Sequence, residues 1–184
     1  MPSGWTSSGN VIINNGISVA YSGYAETSTN YGLNANQILD TYGNMPAGNN
    51  GNAGPGYASS TSFPIPAGNG GAIWDINNVA ESTNNAWAIT WTGSAWAGES
   101  SVTATGYHVW TIYWGSTSSV TFYYDYTNSY TSTTDIPSVN LPICFFNNQG
   151  SSEPKIGPFY WIRLRAYPPN GVMPSVSFSG LSSA

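Results

Sequence analysis

The sequence predicts an all-β domain, and three observations carry that prediction. No window of the 184 residues sustains a helical period, whereas two-residue alternation of apolar and polar side chains recurs along the chain. The alternating runs are bounded by Gly, Asn, Pro and Ser at the intervals typical of sandwiches and barrels. Aromatic residues make up 15% of the chain, far too many for a disordered segment. At this length one core can bury enough apolar surface without disulfide or metal, so residues 1–184 read as a single domain.

Val11-Ile12-Ile13 and residues 17–21 read as the two arms of a hairpin, since Asn14, Asn15 and Gly16 accept the positive φ of a tight reversal. Residues 37–42 form the next strand-like run. From Asn44 to Gly71 the chain is dominated by Gly, Pro, Asn and Ala, which predicts a long loop and a natural place for a functional edge. Strand character returns at residues 72–76 and 86–91. The clearest stretch begins at Gly106: His108, Trp110, Ile112 and Trp114 share one face, and Val109, Thr111 and Tyr113 the other. Residues 115–118 turn the chain and residues 120–125 return it, giving a long aromatic hairpin. Residues 129–136, 141–146 and 159–167 alternate again. Residues 168–171 form a turn, and residues 174–178 a last short strand. The tail, residues 172–184, either docks on its own domain or adds a strand to a neighbour's sheet edge, with Val172, Val176 and Phe178 as its assembly residues.

The hairpin Tyr107-His108-Val109-Trp110-Thr111-Ile112-Tyr113-Trp114 with Val120-Thr121-Phe122-Tyr123-Tyr124-Asp125 resembles the paired core strands of concanavalin-like jelly-roll domains, the lectin and glucanase architecture. The resemblance implies a sandwich of two packed antiparallel sheets. Residues 37–46 (QILDTYGNMP), the Gly-rich stretch up to Trp74, and the ending WIRLRAYPPNGVMPSV from Trp161 to Val176 look like a lectin-like domain of archaeal cell-surface proteins, over most of residues 5–180. That resemblance implies an exported domain exposed at the cell surface.

Charged residues are only 6% of the chain, against about 25% in ordinary soluble domains. The net charge of -5 gives a weak, slightly negative field, which argues against nucleic acid and anionic membranes as partners, because both demand clustered Lys and Arg. No span reaches the 18 or so apolar residues of a membrane helix, and the opening Met-Pro-Ser-Gly-Trp lacks the regions of a signal peptide, as expected of a mature form. The chain is rich in Asn, Ser and Thr yet holds no Asn-x-Ser/Thr acceptor site, as expected of a protein exposed to glycosylation machinery. The single cysteine, Cys144, sits in an apolar run and reads as a small buried hydrophobe.

A jelly-roll glycosidase needs two carboxylates on one sheet face, spaced two or four apart on a strand, and no acids here have that spacing. The nearest pair, Asp75 and Glu81, spans a turn. His108 has no second histidine for a metal and reads as a hydrogen-bonded structural residue. No cofactor is expected, and no acid-rich loop supports calcium. Trp110, Trp114 and Trp161 alternate as sandwich packing requires, which leaves Trp87, Trp91 and Trp96 as the surface platforms for sugar rings. Arg163 and Arg165 share one strand face and either pair with an acid inside the domain or reach a neighbouring subunit. These readings favour a non-enzymatic structural subunit of an extracellular filament or surface assembly, polymerising with copies of itself through neutral aromatic and polar surfaces. The alternative is a lectin-like carbohydrate-binding module at the cell surface, with glycans as partners.

Overall fold

The computed structural model of the protein describes residues 3–32, 37–46, 52–59, 69–76, 85–93, 95–97, 101–103, 106–148, 151 and 154–166. Among these residues, fifteen strands form two antiparallel sheets. The path of the larger sheet runs β1 (Trp5–Ser8), β4 (Gly23–Tyr31), β14 (Leu141–Asn147), β6 (Ala53–Ala58), β7 (Gly71–Asp75), β8 (Asn85–Thr92) and β10 (Ser101–Thr103), with β9 (Ala95–Ala97) also paired to β8. The smaller sheet runs β13 (Thr127–Ser132), β12 (Val120–Tyr124), β11 (Tyr107–Trp114), β5 (Gln37–Asn44), β15 (Ile156–Ala166), β3 (Ile17–Val19) and β2 (Val11–Ile13). Strands far apart in sequence lie side by side, as β4 with β14 and β5 with β15, which gives the crossed connectivity of a jelly roll. The chain is therefore the two-sheet sandwich its hairpin resembles.

The opening hairpin forms as expected, with Asn15 and Gly16 at φ 51° and 142° between β2 and β3. The stretch from Asn44 to Gly71 needs correction, because its middle is β6, a fully buried strand in the interior of the larger sheet. The sequence Ala-Gly-Pro-Gly-Tyr-Ala looks unfit for such a strand. Its glycines, however, lie against the backbone of β7, where a Cβ at Gly54 or Gly56 would overlap the carbonyls of Trp74 and Ala72. Pro55, which has no N–H to give, precedes the β6–β7 ladder, which begins at Gly56. Alternation also misses β1, β4, β9 and β10; the second half of β4 is a polar, exposed Ser-Thr-Asn run. The tail with Val172, Val176 and Phe178 lies outside the described residues, as does Glu81.

The inner faces of the two sheets enclose the main core. Trp74 stands edge-on to Trp110 and Phe122, at centroid distances of 5.5 and 5.6 Å. Both indoles satisfy their N–H on backbone carbonyls: Trp74 Nε1 donates to Thr111 O and Trp110 Nε1 to Gly43 O. Replacing Trp74 with alanine should therefore cost about 3–5 kcal/mol, read from urea unfolding. A second apolar cluster, of Ala58, Ile73, Ile89, Trp91, Cys144 and Phe146, occupies the other face of the larger sheet. Trp91 is thus fully buried rather than a surface platform. Its indole lies flat on β7 because Gly71 has no side chain, and a Cβ there would overlap the ring.

Candidate functional site

The outer face of the smaller sheet carries an aromatic surface that strict alternation does not anticipate. The β15–β5 register shifts between Phe159 and Trp161: Phe159 stands opposite Gly43, and Trp161 opposite Tyr42. Tyr160 is therefore the extra residue of a β-bulge, which reverses the facing of everything that follows. Without it, Trp161 would repeat the inward facing of Phe159. With it, Phe159 is buried, while Tyr160 and Trp161 are exposed by 47% and 38%. Trp161 is thus a surface residue and not part of the sandwich core, whereas Trp110 and Trp114 are core as expected.

Tyr42 ties this surface together. Its ring stacks on Trp161 at 5.7 Å and 17°, and lies 6.0 Å from Tyr107 and 6.2 Å from Tyr160. Tyr107, itself 43% exposed, approaches Tyr160 to 5.4 Å and accepts a 3.5 Å hydrogen bond from the Tyr160 hydroxyl. Among the described residues, the side-chain oxygen of Asn44, the register partner of Tyr107, has no hydrogen-bond partner.

Two residues further along β15, Arg163 and Arg165 face the same way as Trp161 and converge on Asp40 of β5. Arg163 donates from Nε and Nη2 to Asp40 Oδ2 at 3.0 and 2.7 Å, and Arg165 from Nε to the same oxygen at 2.7 Å. Thr111 donates to Asp40 Oδ1 at 2.6 Å. Asp40 is fully buried, so its charge depends on these donors. Of the two partners foreseen for the arginines, the domain supplies the internal acid. The pKa of Arg163 is raised, first by its hydrogen bond to Asp40. Its guanidinium also lies 5.6 Å from the Trp161 ring centroid and donates to Tyr126 Oη at 3.2 Å. Tyr126 reaches it from the two-residue turn between β12 and β13, where Asp125 and Tyr126 both have positive φ, 47° and 64°.

His108 fills the structural role expected of it: Nδ1 contacts Asp125 Oδ2 at 2.8 Å, and Nε2 the Tyr124 hydroxyl at 2.9 Å. Cys144 is buried, and desolvation raises its thiol pKa, so it is a poor nucleophile. Among the described residues, no three His, Cys, Asp or Glu side chains gather as metal ligands would.

On the opposite face of the sandwich, Trp87 borders the second apolar cluster, half-buried; Trp96 pairs with Trp91 in the β8–β9 ladder, and its side chain lies outside the described part. Asp75 lies at the end of β7, fully buried, accepting from Asn52 Nδ2 at 2.6 Å and from the Ala53 backbone N–H at 2.9 Å. Burial raises its pKa to about 7, against the two hydrogen bonds that lower it. The folded state therefore holds this proton more tightly than the unfolded chain. The stabilisation is complete below about pH 4 and is lost as pH rises toward about 7. Asp75→Asn should flatten that part of a melting temperature against pH profile. Glu26 lies on the same face three strands away, across β14 and β6. At about 4.8 Å per strand, that is roughly 14 Å between backbones. The carboxyl groups of a glycosidase pair lie about 5–9.5 Å apart.

The architecture is the concanavalin-like jelly-roll sandwich. Among solved structures, the chain is similar to the apo Crh5 transglycosylase, at 12% identity and TM-score 0.63, covering 92% of this chain and 81% of that one. It is similar to the Bacillus licheniformis beta-glucanase, at 19% identity and TM-score 0.61, covering 89% and 93%. It is also similar to the carbohydrate binding module CBM66 from Bacillus subtilis, at 10% identity and TM-score 0.59, covering 89% and 96%. No protein-family model and no curated protein matches the sequence. The expectation of a chain outside enzyme chemistry is corrected by these likenesses, since the fold is one that hydrolases and transglycosylases use. At these identities the likeness establishes the fold, and the site has to be argued from this chain's own residues.

Proposed function

We propose that the protein binds carbohydrate on the outer face of its smaller sheet, with sugar rings stacked on Trp161, Tyr160 and Tyr107. The observation that carries this reading is the contiguous set of rings around Tyr42, three of them exposed by 38–47% on one face. Pyranose rings present flat C–H faces to aromatic rings, and phenol hydroxyls and amide oxygens meet sugar hydroxyls. Mutual stacking and the bulge hold the rings in place, so little side-chain entropy is lost when a ligand docks. The similar structures include a carbohydrate binding module, a transglycosylase and a beta-glucanase, which supports a saccharide as the ligand class. An extracellular or cell-surface location accords with that ligand. Affinity electrophoresis through gels cast with soluble polysaccharides tests the reading. The protein should be retarded in at least one gel, and Tyr160→Ala/Trp161→Ala should run freely; equal mobility of both proteins in every gel would contradict it.

A second reading, an assembling subunit of an extracellular structure, draws on a different feature. Ile12 and Ile13 are exposed on β2, the edge strand of the smaller sheet. Beside them an open groove of about 460 Å³ runs between the sheets, lined by Trp5, Ile13, Ile17, Tyr31, Ile162 and Leu164 among others. Exposed apolar residues on an edge strand that no other strand among the described residues covers favour contact with another copy. Sedimentation velocity and negative-stain microscopy decide it: polymers that Ile12→Lys/Ile13→Lys dissolves support assembly, and monomers at all concentrations refute it.

A further inference from the structure

Resting on the carbohydrate reading, we propose that the saccharide bound at this face is acidic, and that its anionic substituent pairs with Arg163. The chain has three basic residues against eight acids, and two of the three bases stand together here. Two guanidinium groups against the single buried carboxylate of Asp40 leave one net positive charge at the edge of the aromatic surface, on a protein whose overall charge is -5. The other polar side chains of the surface are the phenols of Tyr42, Tyr107, Tyr126 and Tyr160. Asp125, beside Tyr126, is engaged by His108 and by the Val109 backbone N–H.

Arg163 is built for this role. Asp40 and Tyr126 hold Nε and Nη2, which fixes the plane of the guanidinium, yet the side chain is 48% exposed. Arg165, by contrast, is 19% exposed and turned to the same carboxylate. Among the described residues Nη1 of Arg163 has no hydrogen-bond acceptor, so its N–H groups remain to meet one. A sugar stacked on Trp161, 5.6 Å from that guanidinium, would bring a substituent on its ring within reach. A preorganised guanidinium gives a charge-assisted hydrogen bond to carboxylate or sulfate without the entropy cost of ordering a long side chain. It has no comparable gain from a neutral hydroxyl.

Isothermal titration of the full chain with oligosaccharides of matched length separates the possibilities: an oligouronate, a sulfated oligosaccharide, and a neutral oligoglucan. We expect at least one acidic ligand to bind about tenfold or more tightly than the neutral one, with a preference that shrinks between 50 and 300 mM salt, about as screening requires. Which acidic ligand wins assigns the group as carboxylate or sulfate. Arg163→Gln should bring the acidic-to-neutral affinity ratio near one, and Arg163→Lys, which keeps the charge, should restore part of it. Comparable binding of neutral and acidic ligands, or a ratio unmoved by Arg163→Gln, overturns the acidic assignment and leaves carbohydrate binding standing. Absence of binding to any of the three overturns both.

Discussion

Asp40→Ala is expected to destabilise the fold by about 3–5 kcal/mol, as removal of one member of a buried ion pair generally does. The carboxylate is fully buried and receives hydrogen bonds from Arg163, Arg165 and Thr111. Its loss takes from Arg165, only 19% exposed, the carboxylate on which its Nε is held. The cluster also joins β5, β11 and β15, the three central strands of the smaller sheet, so the loss would be felt across the sheet. Asp40→Asn should cost less than alanine, because the amide oxygen still accepts from one of the donors. Chemical denaturation of the two variants checks this. A loss below about 1 kcal/mol for alanine would mean that the arginines find water as readily as they find Asp40.

Trp161→Ala is expected to weaken saccharide binding at least about tenfold, equivalent to about 1.4 kcal/mol or more. The ring is one of the three exposed on this face and is held by stacking on Tyr42. Stability should change far less than for Trp74→Ala, since Trp161 lies outside the core. Tyr42→Ala should give a similar binding loss by a different route, releasing the three rings that it supports. Trp87→Ala, on the far side of the sandwich, should leave the affinity within about twofold. Titration of each variant with one oligosaccharide measures all three.

The sandwich was legible because its central hairpin alternates cleanly: Trp110 and Ile112 pair across with Tyr124 and Phe122, as their facing predicts. β6 was hidden for a steric reason. Only glycine permits the approach of β6 to β7, and glycine beside proline reads as a loop when that neighbour is unseen. The aromatic face was hidden by a single residue. Counting in twos from Phe159 buries Trp161, and no local signal in Phe-Tyr-Trp marks Tyr160 as a bulge, since the shift is fixed by pairing with a strand more than a hundred residues away. Trp91 failed in the other direction: its burial depends on Gly71, which lies opposite it only once β7 and β8 pair. Arg163 and Arg165 were visible as a pair on one face, and the register then supplied Asp40 as their partner.

The most direct test of the carbohydrate face is a ¹H–¹⁵N spectrum of the eight tryptophan indoles during titration with the best-binding oligosaccharide. The indole signal of Trp161 should move with ligand concentration, while those of buried Trp74, Trp110 and Trp114 stay nearly fixed. Movement of the Trp87 signal with Trp161 unaffected would place the ligand on the opposite face and contradict the account.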